Sequence, residues 1–297
     1  MRSKPCDPLR GQGYQFVREG STAAVKPCLW CKRALRGGEM CYKHQFYGIE
    51  SHRCVQMTPT LRCNHRCLFC WRSFEHEAIE AEECPPEIIL DALLGLQKKA
   101  LSGYKVSKYV TKERCSEALE PRHVAISLSG EPTLYQKLPE LIDLFSASGY
   151  STFLVTNGTN PDILRACRPT QLYVSLNAPD RDTYLDICRP VEDGWDEICE
   201  SLTQMGRIKS AVRVTLVKGI NDFSPDKYAS LIQDSGATFV EVKGYMHLGY
   251  SRHRLLRSHM PEHDHVRGFA AEIATHADYY IRDENPLSRV VCLERRL

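Results

Sequence analysis

The sequence predicts an α/β fold: a parallel sheet with helical crossovers, curved into a partial (β/α)6, TIM-like barrel behind an N-terminal cysteine-rich segment. Three observations predict it. From residue 123 onward, short β-branched runs alternate with runs that are apolar at helical spacing, the pattern of strand–helix–strand units. Polar residues and glycines punctuate the carboxyl ends of those strands, where sheets of this kind bind ligands. Eight of the fourteen cysteines fall within the first 70 residues.

Composition sets the outer bounds. A chain of 297 residues with 42% hydrophobic content can bury a full core, and one large domain is favoured over two small ones. A monomer is expected. The net charge of +2 means that any nucleic-acid surface must come from local patches rather than overall basicity. No signal-peptide h-region precedes the cysteines, which points to a reduced cytoplasm and metal ligation rather than a disulfide framework. No run of about 18 apolar residues is present, so no membrane span is expected. The expected division is an arm and cysteine segment over 1–50 and a barrel over 51–297, with a basic insertion at about 98–120.

Residues 1–26, with Arg2, Lys4, Arg10, Gly11, Gly13 and Gly20, lack apolar periodicity and read as a weakly ordered arm. An extended run over 52–58 follows the first cysteines. Helices are expected at Pro86–Leu96, Leu138–Phe145, Pro161–Ala166, Asp182–Ile187, Trp195–Met205 and Pro225–Gln233, the first opening on proline. Strands are expected at His123–Ser129, Thr152–Thr156, Leu172–Leu176, Ala211–Val217 and Thr238–Val242. Beyond Pro261, a helix to about His276 and two short extended segments read as packing elements closing the barrel's far side.

The chemistry centres on Cys63-Asn-His-Arg-Cys67-Leu-Phe-Cys70. Three thiolates spaced three and then two residues apart can wrap one metal centre without completing a four-thiolate shell. A [4Fe–4S] cube held this way keeps one iron open to chelate the amino and carboxylate groups of S-adenosylmethionine. A zinc loop is the alternative, but zinc loops usually pair cysteines on two knuckles. Upstream, Cys28, Cys41 and Cys54 stand thirteen residues apart each time and form a second trio. Two trios imply two clusters. The extra Cys31 leaves open a zinc knuckle built from Cys28, Cys31, Cys41 and Cys54, or a substitute ligand. Lys43, two residues after Cys41 and flanked by aromatics, reads either as a partly desolvated amine able to attack a carbonyl or as surface charge.

At the strand ends, Glu131 can meet the ammonium of a bound methionine moiety. Asn157 offers an amide, Ser175 and Asn177 suit ribose hydroxyls, and Lys218 falls near the adenine side. Each stretch alone is an ordinary turn. Two basic stretches could hold RNA. Lys98, Lys99, Lys105, Lys108, Lys112 and Arg114 interleave with Tyr104 and Tyr109, and a second stretch runs Lys243…Arg252-His-Arg254…Arg257. A solvated helix face is the plain alternative. His247, His253, His259, His263 and His265 do not form a compact ligand set, and Cys84, Cys115, Cys167, Cys188, Cys199 and Cys292 read as ordinary thiols.

Cys-x3-Cys-x2-Cys resembles the signature of the radical S-adenosylmethionine superfamily. The longer string from Cys54-Val-Gln-Met-Thr-Pro through Cys70-Trp-Arg is similar to the archaeal 4-demethylwyosine synthases, and the likeness runs from about Cys28 past Tyr250. The resemblance implies a tRNA-modifying carbon–carbon lyase with two [4Fe–4S] clusters and S-adenosylmethionine. Its partners would be pyruvate, a tRNA-Phe carrying 1-methylguanosine at position 37, and an external electron donor, since the flavin domain of eukaryotic relatives is not found here. It also implies a second cube on the N-terminal trio and a pyruvate Schiff base on Lys43, and it groups Glu131, Asn157, Ser175, Asn177 and Lys218 as the cofactor-binding series. Two rivals remain: a twin-cluster enzyme acting on a protein or metabolite, and a zinc-stabilised RNA-binding module.

Overall fold

The structure, a computed structural model, describes residues 7–74 and 82–296. The Arg2 and Lys4 part of the expected arm lies outside them. The chain divides into two compact units. Of the described residues, the first comprises 7–62, 82–155 and 166–170; the second comprises 63–74, 156–165 and 171–296.

In the first unit, helix α1 (Asp7–Gly11) leads into the short strands β1 (Gln15–Phe16) and β2 (Ala24–Val25). These pair antiparallel with each other and with β3 (Cys54–Thr58). The described part of the expected arm is therefore a short helix followed by two strands of the sheet. Tyr14, Phe16 and Ala24 bury their side chains with Leu61 and Leu128, an anchor too short to show periodicity in sequence. Helices α2 (Leu29–Leu35) and α3 (Tyr42–Tyr47) carry the first cysteines. Helix α4 (Pro86–Leu101) opens on proline and buries Ile89 and Leu93, and α5 (Lys112–Leu119) is capped by Thr111 Oγ1, which accepts from the Arg114 N–H at 3.2 Å. Strands β4 (His123–Ile126) and β5 (Ser151–Thr156) extend the sheet parallel to β3, with α6 (Leu138–Ala147) between them in sequence.

In the second unit, α7 (Pro161–Ala166), α8 (Arg181–Cys188), α9 (Trp195–Thr203) and α10 (Pro225–Ser235) alternate with parallel strands β6 (Gln171–Ser175), β7 (Ser210–Leu216) and β8 (Phe239–Gly244). Alternation of side chains along β7 and β8 separates two faces. Val212, Val214, Val240 and Val242 are fully buried, whereas Arg213, Thr215, Glu241 and Lys243 form a polar row. Helix α11 (His263–His276) packs against the sheet and against α10, with Phe269 edge-on to Tyr228 at 5.6 Å. The two terminal extended segments correct the sequence reading. They are strands β9 (Tyr279–Asn285) and β10 (Val290–Arg295), and β10 joins β8 antiparallel while β9 joins β10. The sheet is therefore mixed. Val290, Val291, Cys292 and Leu293 are fully buried, which makes β10 an internal sheet strand rather than a covering element.

Candidate active site

Helix starts and a strand start place the N-terminal cysteines. Cys28 caps α2, its Sγ accepting the Cys31 N–H at 3.3 Å; Cys41 caps α3, its own N–H donating to Ser51 Oγ at 2.9 Å; Cys54 opens β3. Burial pushes the Cys28 and Cys54 thiols up, and the nearness of the other thiols adds to it: Cys41 acts on Cys28, and Cys28, Cys41 and Cys31 act on Cys54. Thiols gathered this way are stable as neutral groups until a metal supplies the positive charge that draws off their protons. The three thiols of the trio are near enough for their charges to act on one another. Cys31 is fully buried with Leu35, Leu101 and Ala118, and burial raises its thiol as well. It is tied into the packing between α2 and the basic insertion.

Lys43, on the first turn of α3, is half-buried, with Nζ 5.6 Å from the centre of the Phe153 ring. Its charge lowers the Cys54 thiol against the effect of burial, so amine and sulfur lie within electrostatic range. Glu131, after β4, is buried. Its Oε1 accepts from the Thr133 N–H at 3.0 Å and the Thr133 hydroxyl at 2.8 Å, while its own N–H donates to Arg62 O at 2.7 Å.

In the second unit, the Cys63–Cys70 loop is clamped by backbone. The Arg66 N–H donates to the Cys188 and Arg189 carbonyls at 2.9 and 3.0 Å, the Leu68 N–H to Ile187 O at 2.9 Å, and the Val191 N–H to Asn64 O at 2.8 Å. Arg254 closes the other side, its Nε donating to Leu68 O at 3.1 Å and its Nη2 to the Cys70 and Arg72 carbonyls. Gly249 adopts a positive φ, where a side chain would overlap Trp71 O. Burial raises the Cys70 thiol, opposed by Arg72. Cys67 is raised first by the neighbouring Cys188 thiol and then by burial. The Cys67 and Cys188 sulfurs and a His65 ring nitrogen all lie within 4.8 Å of one another. Cys188 is therefore no ordinary thiol. Its proximity came from folding 121 positions of chain back on the loop, and no local pattern announces that.

The other strand-end residues fall in the second unit and differ in their commitments. Asn157 Nδ2 donates to Asn64 Oδ1 at 2.8 Å, and Asn157 Oδ1 accepts from the Thr159 N–H and hydroxyl. Asn157 thus orders the cysteine loop directly. Asn177 Oδ1 accepts the Thr215 N–H at 2.9 Å, Ser175 is half-buried at the end of β6, and Lys218 is exposed.

Sequence reading missed a polar row across β6, β7 and β8, where Ser175, Arg213 and Glu241 stand in register. Arg213 Nη2 meets the fully buried Glu241 at 2.6 Å and lies 5.1 Å from the centre of the Tyr173 ring. Lys243 Nζ donates to Ser288 O at 2.6 Å, and burial, aided by Arg213, brings its amine down to about 8. Lys243 and Arg254 are half-buried and committed to backbone carbonyls, and of the second basic stretch Arg252, His253 and Arg257 stay exposed. In the first stretch, Tyr104 stacks under Arg36 and Arg114 donates to Ala34 O. Lys98, Lys99, Lys105, Lys108, Lys112 and Tyr109 remain exposed. His263 Nε2 lies 3.2 Å from Glu284 Oε2, and His265 Nε2 lies 2.8 Å from Asp222 Oδ2.

Two family models match, the radical SAM superfamily over residues 57–232 and wyosine base formation over 234–295. An S-adenosyl-L-methionine-dependent tRNA 4-demethylwyosine synthase of Pyrococcus abyssi is 46% identical, the alignment covering 99% of this chain and 90% of that one. The enzyme of the same description from Methanocaldococcus jannaschii is 40% identical over 96% and 94%. Among solved structures, one described as "Structure of TYW1 with a lysine-pyruvate adduct bound" matches with TM-score 0.91 and 38% identity over 99% of this chain and 96% of that chain. Another, "Crystal structure of archaeal TYW1", matches with TM-score 0.82 and 34% identity over the same shares. The superfamily brings with it a [4Fe–4S] cluster and S-adenosylmethionine. By identity along nearly its whole length, the chain belongs to the tRNA 4-demethylwyosine synthases of the radical S-adenosylmethionine superfamily.

Proposed function

We propose that the chain condenses carbons of pyruvate with N1-methylguanosine-37 of tRNA-Phe to form the tricyclic 4-demethylwyosine base, acting as a carbon–carbon lyase on pyruvate. A bound cluster with S-adenosylmethionine would supply radical chemistry able to abstract hydrogen from the base's N-methyl group. Cys63, Cys67 and Cys70 hold that cluster, with Asn157 fixing the loop through Asn64. Glu131 would receive the ammonium of S-adenosylmethionine, Ser175 and Asn177 would hold its ribose, and Lys218 would serve its adenine. Cys28, Cys41 and Cys54 hold a second [4Fe–4S] cluster, and the division near residue 50 separates this segment from a partial (β/α)6 barrel whose strands are β3 to β8. The exposed lysines 98, 99, 105, 108 and 112 contact phosphates, and Tyr109 offers a stacking face. An electron donor outside the chain, a monomer and a cytoplasmic setting complete the reading.

The observation that carries it is the placement of Lys43. Its amine lies within electrostatic range of Cys54 and 5.6 Å from the centre of the Phe153 ring, and a relative of 0.91 TM-score is described with a lysine–pyruvate adduct. Attack of the neutral amine on the keto carbon with loss of water gives an imine that holds pyruvate next to the second trio. Borohydride trapping with labelled pyruvate should mark the Lys43 peptide and leave Lys43→Arg unlabelled. Equal labelling of that variant would remove Lys43 from the reaction. A fully loaded protein that gives no tricyclic base on 1-methylguanosine tRNA would remove the substrate assignment.

A further inference from the structure

We infer that Cys188 donates an S–H hydrogen bond to the Cys67 thiolate and so sets the reduction potential of the cluster that Cys67 ligates. The inference rests on the proposed ligand role of Cys63, Cys67 and Cys70.

The geometry is fixed by backbone rather than by side-chain choice. Cys188 ends α8, and its carbonyl accepts the Arg66 N–H at 2.9 Å one residue before Cys67. The neighbouring Ile187 carbonyl accepts the Leu68 N–H at 2.9 Å, one residue after it. Cys67 is therefore bracketed by two hydrogen bonds to the same helix end, which brings its sulfur within 4.8 Å of that of Cys188. Cys188 is only 3% exposed, so no water competes for its proton. His65 completes the group. Its ring stands edge-on to Tyr184, Nε2 and the phenol oxygen 3.0 Å apart, which holds the imidazole in place.

The direction of the bond follows from charge. Once Cys67 ligates iron it has lost its proton and can only accept, so the thiol of Cys188 is the donor. One-electron reduction places more negative charge on the cluster and its sulfurs, and the hydrogen bond strengthens. The reduced state gains more than the oxidised state, and the potential rises. A thiol is a weak donor, so the effect is a graded one. Cys188 is a positioning residue, touching neither substrate nor the reacting atoms.

The test compares Cys188→Ala, Cys188→Val and Cys188→Ser in the cluster-loaded protein, following by EPR titration the signal that changes when S-adenosylmethionine is added. Loss of the donor in Ala and Val should move the midpoint negative. At a fixed solution potential the reduced-to-oxidised ratio should fall about threefold to tenfold, tenfold corresponding to about 59 mV. Ser, which keeps a donor, should stay within about twofold of the parent. Unchanged midpoints in Ala and Val, or a Ser shift as large as that of Ala, would overturn the inference, the latter by showing a packing effect. Loss of the S-adenosylmethionine response in Cys188→Ala would make Cys188 a ligand instead. The underlying reading is checked separately. Cys67→Ala should lose that signal along with one cluster's iron, and a Cys67→Ala protein that kept both would sink the ligand assignment and the tuning role together.

Discussion

Gly130 takes φ of 78° in the turn between β4 and Glu131, where a Cβ would overlap the carbonyl oxygens of Thr60 and Arg62. Both the backbone conformation and the space demand glycine. Gly130→Ala is expected to cost about 3 kcal/mol or more, since the obstacles are backbone atoms rather than pliable side chains, and urea unfolding of purified variant and parent measures it. Lys243 makes a different test. Its amine, near 8 when folded against 10.5 for an ordinary lysine, is mostly neutral in the folded chain between those values while the unfolded chain stays protonated. The folded state therefore gains on the unfolded as pH rises through that window, and the penalty for burying the charge is complete below about pH 8. Lys243→Met removes this term. The parent's stability relative to the variant should rise by about 3 kcal/mol between pH 7.5 and 10.5, and denaturant titrations at the two pH values read the difference.

At the scale of elements, the cysteine loop borrows its order from α8 and from Arg254. Arg254→Ala deletes the donors to the Leu68, Cys70 and Arg72 carbonyls. Far-UV circular dichroism should be unchanged while the retained iron falls severalfold, because α8 still holds only one side of the loop. Most helices and strands were legible because their apolar spacing matches the period of the element: the expected Pro161–Ala166 helix is observed without change, and the expected Leu138–Phe145 helix extends to Ala147. What was not legible was pairing across the chain. Two-residue strands such as Gln15–Phe16 carry no period, and the direction in which Val290–Arg295 enters the sheet is a topological fact rather than a local one. The same limit hid Cys188, whose partner in space is remote in sequence. The strand-end position of Asn157 was legible in sequence. Its ties to Asn64 and Thr159 were not, because they depend on where the loop returns.

For the whole molecule, the two cysteine trios predict stoichiometry. Anaerobically loaded protein should hold about eight irons and eight sulfides per chain, and Cys28→Ala should keep about four of each. Stoichiometric zinc in place of sulfide at the N-terminal trio would replace the second cluster by a knuckle. Among the described residues, no helix is long and apolar enough to cross a membrane. The family is readable in sequence because its cysteine spacing is dense and local. The polar row of Arg213, Glu241 and Lys243 is not, because single polar residues in alternating strands look like solvent-facing positions until the sheet is assembled.

The clamp on the cysteine loop also dictates a timetable. Arg254 lies 184 positions after Cys70, which at about 5–20 residues per second is on the order of ten to forty seconds of synthesis. Until that arginine has left the ribosome, the thiols at 63, 67 and 70 belong to a strap held from one side alone. With Cys63, Cys67 and Cys70 as the proposed ligands, the expected outcome is late iron delivery: a nascent chain stalled before residue 254 should take up little iron, measured by iron content of the stalled complex.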